Sequence, residues 1–307
     1  MQQSTLCAPI RGFGHILQPA LLVLVVFGLE ACTTPPLRHT IAPSAREVAG
    51  GREVKVSVVQ REIGTRIAPS RVAAAAGGGL LMALIDAGVN QHRAKAAEST
   101  VGDVRTELGE YDFDARALEV SKGVLAEVPW FGTAPTFSKE HTDVSMLADL
   151  DNAATSQVSF FDYHYGLSPD FSELEVSAAI DTALKVAPAG ATAQQRTQLK
   201  NLVYTRRFVV VTALSSPSKD KSENAQRWSE EKAAFARRSI EASLAHLQAL
   251  MEKALLFTAE EEARFSGLTD NTQVGTRTGK LLEKSDAGTL LLALDGTWIY
   301  VVPEITS

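Results

Sequence analysis

An aspartate and a histidine lie two residues apart in an aromatic, strand-forming stretch, and these side chains could carry acid–base or metal chemistry. Asp162 and His164 fall within residues 157–167 (QVSFFDYHYGL), and Asp170 follows beyond a turn. Because alternate residues of a strand share a face, Asp162 and His164 would lie side by side. A polar, solvent-facing strand edge accounts for the same residues, and the sequence favours this simpler interpretation.

Sequence signatures of the common hydrolases and metal sites do not occur. His246 has no His-Glu-x-x-His motif around it, and no Gly-x-Ser-x-Gly motif is found. Asp149 and Asp151 lack the glycine and terminal glutamate of an EF-hand loop. Arg206 and Arg207 should point to opposite faces of a strand, one of them pairing with an acidic residue across the sheet. The sequence assigns no catalytic residue, metal or cofactor, so a non-enzyme is favoured and enzymatic activity stays open.

The second of two cysteines lies at the end of the first apolar run. Residues 20–29 (ALLVLVVFGL) are followed by Glu30, Ala31 and Cys32. A bilayer-spanning helix needs about 20 apolar residues, so this run has instead the length of the apolar part of a secretory signal.

This order of residues, a leucine, one further residue, a small residue and a cysteine, resembles the lipobox of bacterial lipoproteins. The resemblance implies that residues 1–31 are a signal peptide and that Cys32 becomes the lipid-carrying first residue, bearing diacylglycerol and palmitate. An ordinary cleaved signal peptide and an uncleaved anchor are the alternatives. Thr33 in place of an aspartate resembles the pattern that sorts such proteins to the outer membrane, facing the periplasm.

Composition narrows the classes of function. Residues 32–51 begin Cys-Thr-Thr-Pro-Pro, a polar, proline-rich start expected of a lipid-anchored linker. Removing residues 1–31 removes Cys7, so the mature chain would hold no free thiol for catalysis or zinc binding. The net charge of -6 and the absence of basic runs argue against a nucleic-acid partner.

Residues 52–257 are predicted to form one α+β domain, an α/β sandwich whose mixed or antiparallel sheet is packed by long helices. Alternation in residues 174–184 predicts a strand with one buried and one largely wet face. Apolar residues at helical spacing predict one long helix over 222–257, about 50 Å in length. The remaining predicted elements are strands at 53–60, 135–140, 157–167 and 201–214, a helical region at 91–127 broken near 109–112, and a short helix at 143–154.

Residues 258–307 are predicted to form a small C-terminal β meander. Its three short strands fall at 276–284, 288–294 and 297–302, and Asp295-Gly296 is a strong hairpin signal. The order of elements over 53–214 resembles the α/β domain of periplasmic lipoproteins of the curli secretion channel (CsgG) type and the N-terminal domain of TolB. That resemblance is topological and rests on no diagnostic motif.

Small residues recur every fourth position within the apolar run 72–89. The strip of Ala75, Gly79, Ala83 and Ala87 would lie on one helix face and permit close approach of another backbone. It resembles the glycine zippers of bacterial envelope proteins. Packing within the domain, association with a second copy or partner helix, and membrane insertion are the open alternatives, and Asp86 weighs against insertion.

The sequence therefore favours a non-enzymatic envelope lipoprotein that acts through protein–protein contacts, in outer-membrane assembly, secretion or envelope maintenance. Its partners would be the membrane, an envelope protein or another copy of itself. A periplasmic binding protein for a small ligand or cell-wall fragment is the alternative, and a periplasmic hydrolase comes third. A closed pocket lined by Phe161, Tyr163 and Tyr165 would favour ligand binding, whereas convergent buried carboxylates would favour the hydrolase.

Overall fold

A mixed β-sheet organises the part of the chain that the computed structural model describes, which is residues 39–47, 51–58, 62–65, 100–131, 136–140, 155–184 and 202–303. Residues 38–307 belong to one compact unit. The strands are β1 (Arg52–Val58), β2 (Gly64–Thr65), β3 (Thr136–Glu140), β4 (Gln157–Leu167), β5 (Glu173–Leu184), β6 (Leu202–Ala213), β7 (Asn271–Val274), β8 (Arg277–Ser285), β9 (Gly288–Leu292) and β10 (Trp298–Val301).

The strands are arranged in the order β3-β1-β4-β5-β6-β10-β9-β8-β7, with β2 beside β4. β4, β5 and β6 form the antiparallel meander that their alternating sequences predicted. β1 runs parallel to both β3 and β4, and β10 runs parallel to β6. The predicted α+β fold with a mixed sheet is confirmed.

Helices cover one face of this sheet. The long helix over Lys221–Leu256 packs against β5 and β6. The helix over Phe113–Ala126 packs against this long helix and against β1. Asp112 accepts a hydrogen bond from the backbone N–H of Ala115 and so caps this second helix. The helices are α1 (Pro43–Arg46), α2 (100–108), α3 (Phe113–Ala126), α4 (Lys221–Leu256) and α5 (Ala259–Ser266), and a short 3-10 turn spans Pro129–Phe131.

The predicted long helix is wrong in one respect, because α4 is interrupted. Glu230 has an extended backbone, and Glu231, Lys232 and Ala233 have positive φ angles of 51°, 60° and 55°. The segment is therefore not one straight rod of about 50 Å. Trp228 and Phe235 stack on each other on either side of the break, with ring centroids 4.9 Å apart. The interrupted stretch contains neither glycine nor proline.

The C-terminal strands continue the central sheet instead of forming a separate unit. β8, β9 and β10 form the predicted meander, and Gly296 takes a positive φ of 82° in the predicted Asp-Gly turn. Trp298 pairs with Phe208, so β10 extends the sheet from β6. The sequence did not predict β7 or α5, which begins with a capping box between Thr258 and Glu261.

Several predicted segments lie outside the described residues. These are the signal peptide over 1–31, the glycine-rich run 72–89 with its strip of Ala75, Gly79, Ala83 and Ala87, and the whole of the helix predicted at 143–154. Within the residues that are described, no helix is both long enough and apolar enough to cross a membrane.

Candidate functional site

Two aspartates lie together on the face of the sheet opposite the helices. Asp162 of β4 pairs with Ala179 of β5, and Asp181 of β5 pairs with Phe160 of β4, so the two carboxyl groups are diagonal neighbours on one face. His164 lies two residues further along β4 on the same face, as strand alternation predicted. The structure thus brings Asp162 and His164 together and adds Asp181, which the sequence analysis missed.

Burial changes the acidity of this pair. It raises the pKa of Asp162 to about 6, and the negative charge of Asp181 adds to the shift. Burial also raises the pKa of Asp181, although a hydrogen bond from Thr205 and the charge of Arg207 oppose the change. A carboxyl group with a pKa near 6 can exchange a proton close to neutral pH, which is the requirement for general acid–base chemistry.

The third acidic residue of the predicted cluster does not join the pair. Asp170 lies in the turn between β4 and β5 and accepts hydrogen bonds from the hydroxyl groups of Ser168 (2.7 Å) and Ser172 (2.8 Å). Within the described part of the chain, no group of three histidine, cysteine, aspartate or glutamate side chains is placed to hold a metal ion. The raised pKa of Asp162 fits proton exchange near neutral pH.

Replacing Asp162 with asparagine should stabilise the protein near neutral pH. The pKa of Asp162 is raised in the folded protein, so its stabilising contribution is complete below its ordinary pKa of 3.8 and is lost as the pH rises through about 6. We expect Asp162→Asn to raise the free energy of unfolding by about 1–2 kcal/mol at neutral pH and by little at pH 4, after allowing for partial exposure. Urea unfolding at both pH values measures this difference.

Asp170→Asn is the matched control, and the opposite sign is expected for it. Burial acts to raise the pKa of Asp170, but its hydrogen bonds from Ser168 and Ser172 outweigh burial and lower it. The substitution should therefore destabilise the protein at neutral pH. If Asp162→Asn and Asp170→Asn change the free energy of unfolding equally at neutral pH, the folded protein does not disfavour the ionised form of the Asp162 carboxyl.

Residues 39–47, in the middle of the predicted linker, pack onto the domain. Ile41 and Ala45 are buried, which corrects the prediction of a free linker for this part of 32–51. The side-chain amide of Gln157 donates to the carbonyl of Ala45 at 2.8 Å, and Arg52 donates to the Gln157 side chain at 2.8 Å. Arg52 also donates to the carbonyl of Arg46. Residues 39–47 are thus part of the folded domain.

A buried arginine holds the start of this segment. The side chain of Arg206 is 0% exposed and lies over the rings of Trp298 (5.0 Å) and Phe257 (5.9 Å). Its Nη2 atom donates to the carbonyl of His39 and to a carboxylate oxygen of Glu262 at 2.7 Å. Arg206 does pair with an acidic residue, as expected, but that residue comes from α5 and not from across the sheet.

The three aromatic residues proposed to line a pocket, Phe161, Tyr163 and Tyr165, do not enclose one among the described residues. Phe161 and Tyr163 are fully buried beneath the helices, where the Tyr163 hydroxyl contacts the Ser121 hydroxyl at 2.9 Å. Tyr165 stacks on Phe113 with centroids 4.0 Å apart. An open groove of about 430 Å³ runs past that pair, and its lining is Gly109, Glu110, Tyr111, Asp112, Phe113, Asp114 and Tyr165.

Comparison with known proteins adds no family assignment. No protein-family model matches the chain, and no curated protein matches its sequence at a significant level. Functional inference therefore depends on the residues of this chain alone.

Proposed function

We propose that this chain is a periplasm-facing envelope lipoprotein, held at the outer membrane by lipid on Cys32 and acting through protein–protein contacts. The observation that carries the proposal is the sequence Leu29-Glu30-Ala31-Cys32 directly after an apolar run of signal-peptide length. Outer-membrane assembly, secretion or envelope maintenance is the proposed setting, and an envelope protein or a second copy of the chain is the proposed partner. The likeness of its element order to the curli-channel and TolB domains is consistent with that setting.

The limits of the folded unit support a cleavage before Cys32. The compact unit begins at Arg38, so removal of residues 1–31 would not cut into it. His39 is already held by Arg206, so only a short segment would separate the lipid from the domain. An anchored protein of this kind needs no further membrane-binding element to remain at the surface.

Packing of the aromatic strand bears on the ligand-binding alternative. Phe161 and Tyr163 fill the core between the sheet and α4, and only Tyr165 reaches the open groove. Small-molecule sites usually enclose most of the ligand surface in a cleft lined by such side chains. The ligand-binding alternative therefore loses the residues on which it depended.

The carboxyl pair of Asp162 and Asp181 favours a second candidate function, a periplasmic hydrolase. The raised pKa of Asp162 would suit a general acid near neutral pH. Complementation of a deletion strain distinguishes the two functions. If the protein is a hydrolase, Asp162→Asn should abolish complementation although it stabilises the fold; if it acts by contact, the variant should complement.

Loss of the anchor is the direct test of the first proposal. Cys32→Ser should abolish incorporation of labelled palmitate and move the protein from the membrane fraction to the soluble periplasmic fraction, because one residue carries the lipid. Cys7→Ser is the matched control, since residue 7 would leave with the signal peptide, and it should change neither measurement. Palmitate labelling that persists in Cys32→Ser would refute the proposal.

A further inference from the structure

One turn of the sheet presents an apolar side chain directly to solvent. Leu294 is 90% exposed, whereas the other exposed large apolar side chains of the described residues, Leu256, Leu268 and Leu281, are between 37% and 45% exposed. Leu294 lies in the turn that connects β9 to β10. A single exposed leucine needs no explanation by itself, so its position relative to the rest of the molecule decides its meaning.

The turn holds Leu294 in a fixed orientation. The N–H of Gly296 donates to the carbonyl of Ala293 at 3.0 Å, which closes a β-turn with Leu294 at its second position. The Asp295 side chain accepts a hydrogen bond from the N–H of Thr297 at 3.0 Å. Gly296 has a positive φ of 82°, as the last residue of such a turn requires. Little conformational freedom would be lost when Leu294 enters an apolar surface.

The same turn contacts the first residue of the docked N-terminal segment. A β-carbon added to Gly296 would collide with the imidazole ring of His39, so the turn and His39 lie against each other. The carbonyl of His39 accepts a hydrogen bond from the buried Arg206, and the Nδ1 atom of His39 lies 3.1 Å from the carbonyl oxygen of Thr205. These two contacts fix the position of His39. The turn that carries Leu294 therefore lies against His39, the first described residue of the N-terminal segment.

The chain between Cys32 and His39 is short. Six residues lie between the two, and the seven Cα–Cα steps from Cys32 to His39 span about 25 Å in a fully extended chain. Two of the intervening residues are Pro35 and Pro36, which shorten the reach to roughly 3.1 Å per residue. A lipid on Cys32 would thus confine the β9–β10 turn to a thin layer of solvent next to the membrane, at a high effective concentration.

We infer that the β9–β10 turn is a second membrane contact, at which Leu294 enters the interfacial region of the lipid bilayer. The inference rests on the proposed lipid anchor at Cys32 and adds to it a defined orientation of the domain. Glu262 is paired with Arg206, the same arginine that binds the His39 carbonyl, but Asp295 adjoins Leu294. The contact should therefore be stronger on phosphatidylethanolamine than on anionic lipid.

Site-specific labelling of the lipidated protein tests the inference. After loss of residue 7 and acylation of Cys32, the mature chain has no reactive thiol, so Leu294→Cys introduces a unique labelling site. The acylated protein is reconstituted into vesicles of phosphatidylethanolamine with a small fraction of phosphatidylglycerol and labelled with the environment-sensitive fluorophore NBD. We expect a blue shift of the emission and strong quenching by nitroxide-bearing lipids.

Ala287→Cys is the matched control, in the exposed turn that joins β8 to β9. This turn lies at the opposite end of β9 from Leu294, about 20 Å away along the strand. The emission of the control label should remain that of a label in water, with no quenching by lipid nitroxides.

A longer linker supplies a second variant that leaves the domain intact. Inserting about 20 glycine and serine residues after Pro36 lowers the effective concentration of the turn at the membrane, so quenching at position 294 should fall at least about twofold. Equal quenching at 294 and 287, or none at 294 while palmitate labelling persists, would reject the inference and leave the anchor standing. Failure of palmitate labelling itself would reject the anchor and the membrane contact together.

Discussion

Replacing Arg277 with methionine should lower the free energy of unfolding by about 3–5 kcal/mol at neutral pH, because it leaves two buried carboxylates without their counter-charge. The Nη2 atom of Arg277 lies 2.6 Å from a carboxylate oxygen of Glu173 and also contacts Glu175. The side chains of Glu173 and Glu175 are only 9% and 7% exposed. Chemical denaturation followed by circular dichroism measures the loss.

Arg277 is charged in the folded protein. Burial acts to lower the pKa of Arg277, but Glu175 and Glu173 outweigh it and raise the pKa, so the arginine stays charged wherever the protein is folded. Arg277→Met therefore removes a positive charge that both carboxylates share.

Two further variants complete the experiment on Arg277. Lys253→Met breaks an ion pair with Glu283 of similar length, 2.8 Å, but these side chains are 45% and 59% exposed. We expect this control to lower the free energy of unfolding by less than about 1 kcal/mol.

Adding Glu173→Gln and Glu175→Gln to Arg277→Met should recover part of the lost free energy of unfolding, because the buried charges are then removed. If Arg277→Met costs no more than Lys253→Met, the triad does not stabilise the fold.

Strand alternation predicted which residues of β5 share a face, but not how deeply each face is buried. Glu175 lies on the face expected to be wet, yet it is buried because the start of β8 reaches across to it. No local pattern specifies a contact between residues 102 positions apart. The period of two fixes the face of a residue, and long-range topology fixes its exposure.

The register between strands explains why Asp181 was missed. Asp162 and His164 are close in sequence, so alternation alone places them together. Asp181 becomes the neighbour of Asp162 only because Asp162 pairs with Ala179, and turn geometry sets that register. Sequence patterns therefore predicted half of the carboxyl pair.

Composition misled the prediction for residues 39–47 because it reports local preference only. A proline-rich, polar start is typical of a free linker, yet His39 and Ala45 offer backbone carbonyls that Arg206 and Gln157 bind. Both donors come from strands more than a hundred residues later in the chain. Backbone acceptors are present in every sequence, so only the folded arrangement shows that these two are used.

Replacing Trp228 with alanine should cost about 3–5 kcal/mol, since a fully buried indole joins three parts of the fold. Trp228 stacks on Phe235 across the interruption of α4, with an interplanar angle of 20°. Its Nε1 atom donates to the carbonyl of Phe171 at 2.7 Å, in the turn between β4 and β5. Phe171 has a positive φ of 58°, a conformation that costs a non-glycine residue roughly 1–2 kcal/mol and must be offset by such contacts.

Trp228→Phe separates the hydrogen bond from the packing. Phenylalanine keeps the stack on Phe235 but leaves the carbonyl of Phe171 without its donor, so about 1–2 kcal/mol of the loss should remain. Trp130→Ala is the control: Trp130 is half-buried and stacks on Phe131 at 4.2 Å, and a smaller loss is expected there. If Trp228 joins the two parts of α4, hydrogen exchange in Trp228→Ala should accelerate first in residues 221–229, whereas uniform acceleration across α4 would contradict that role.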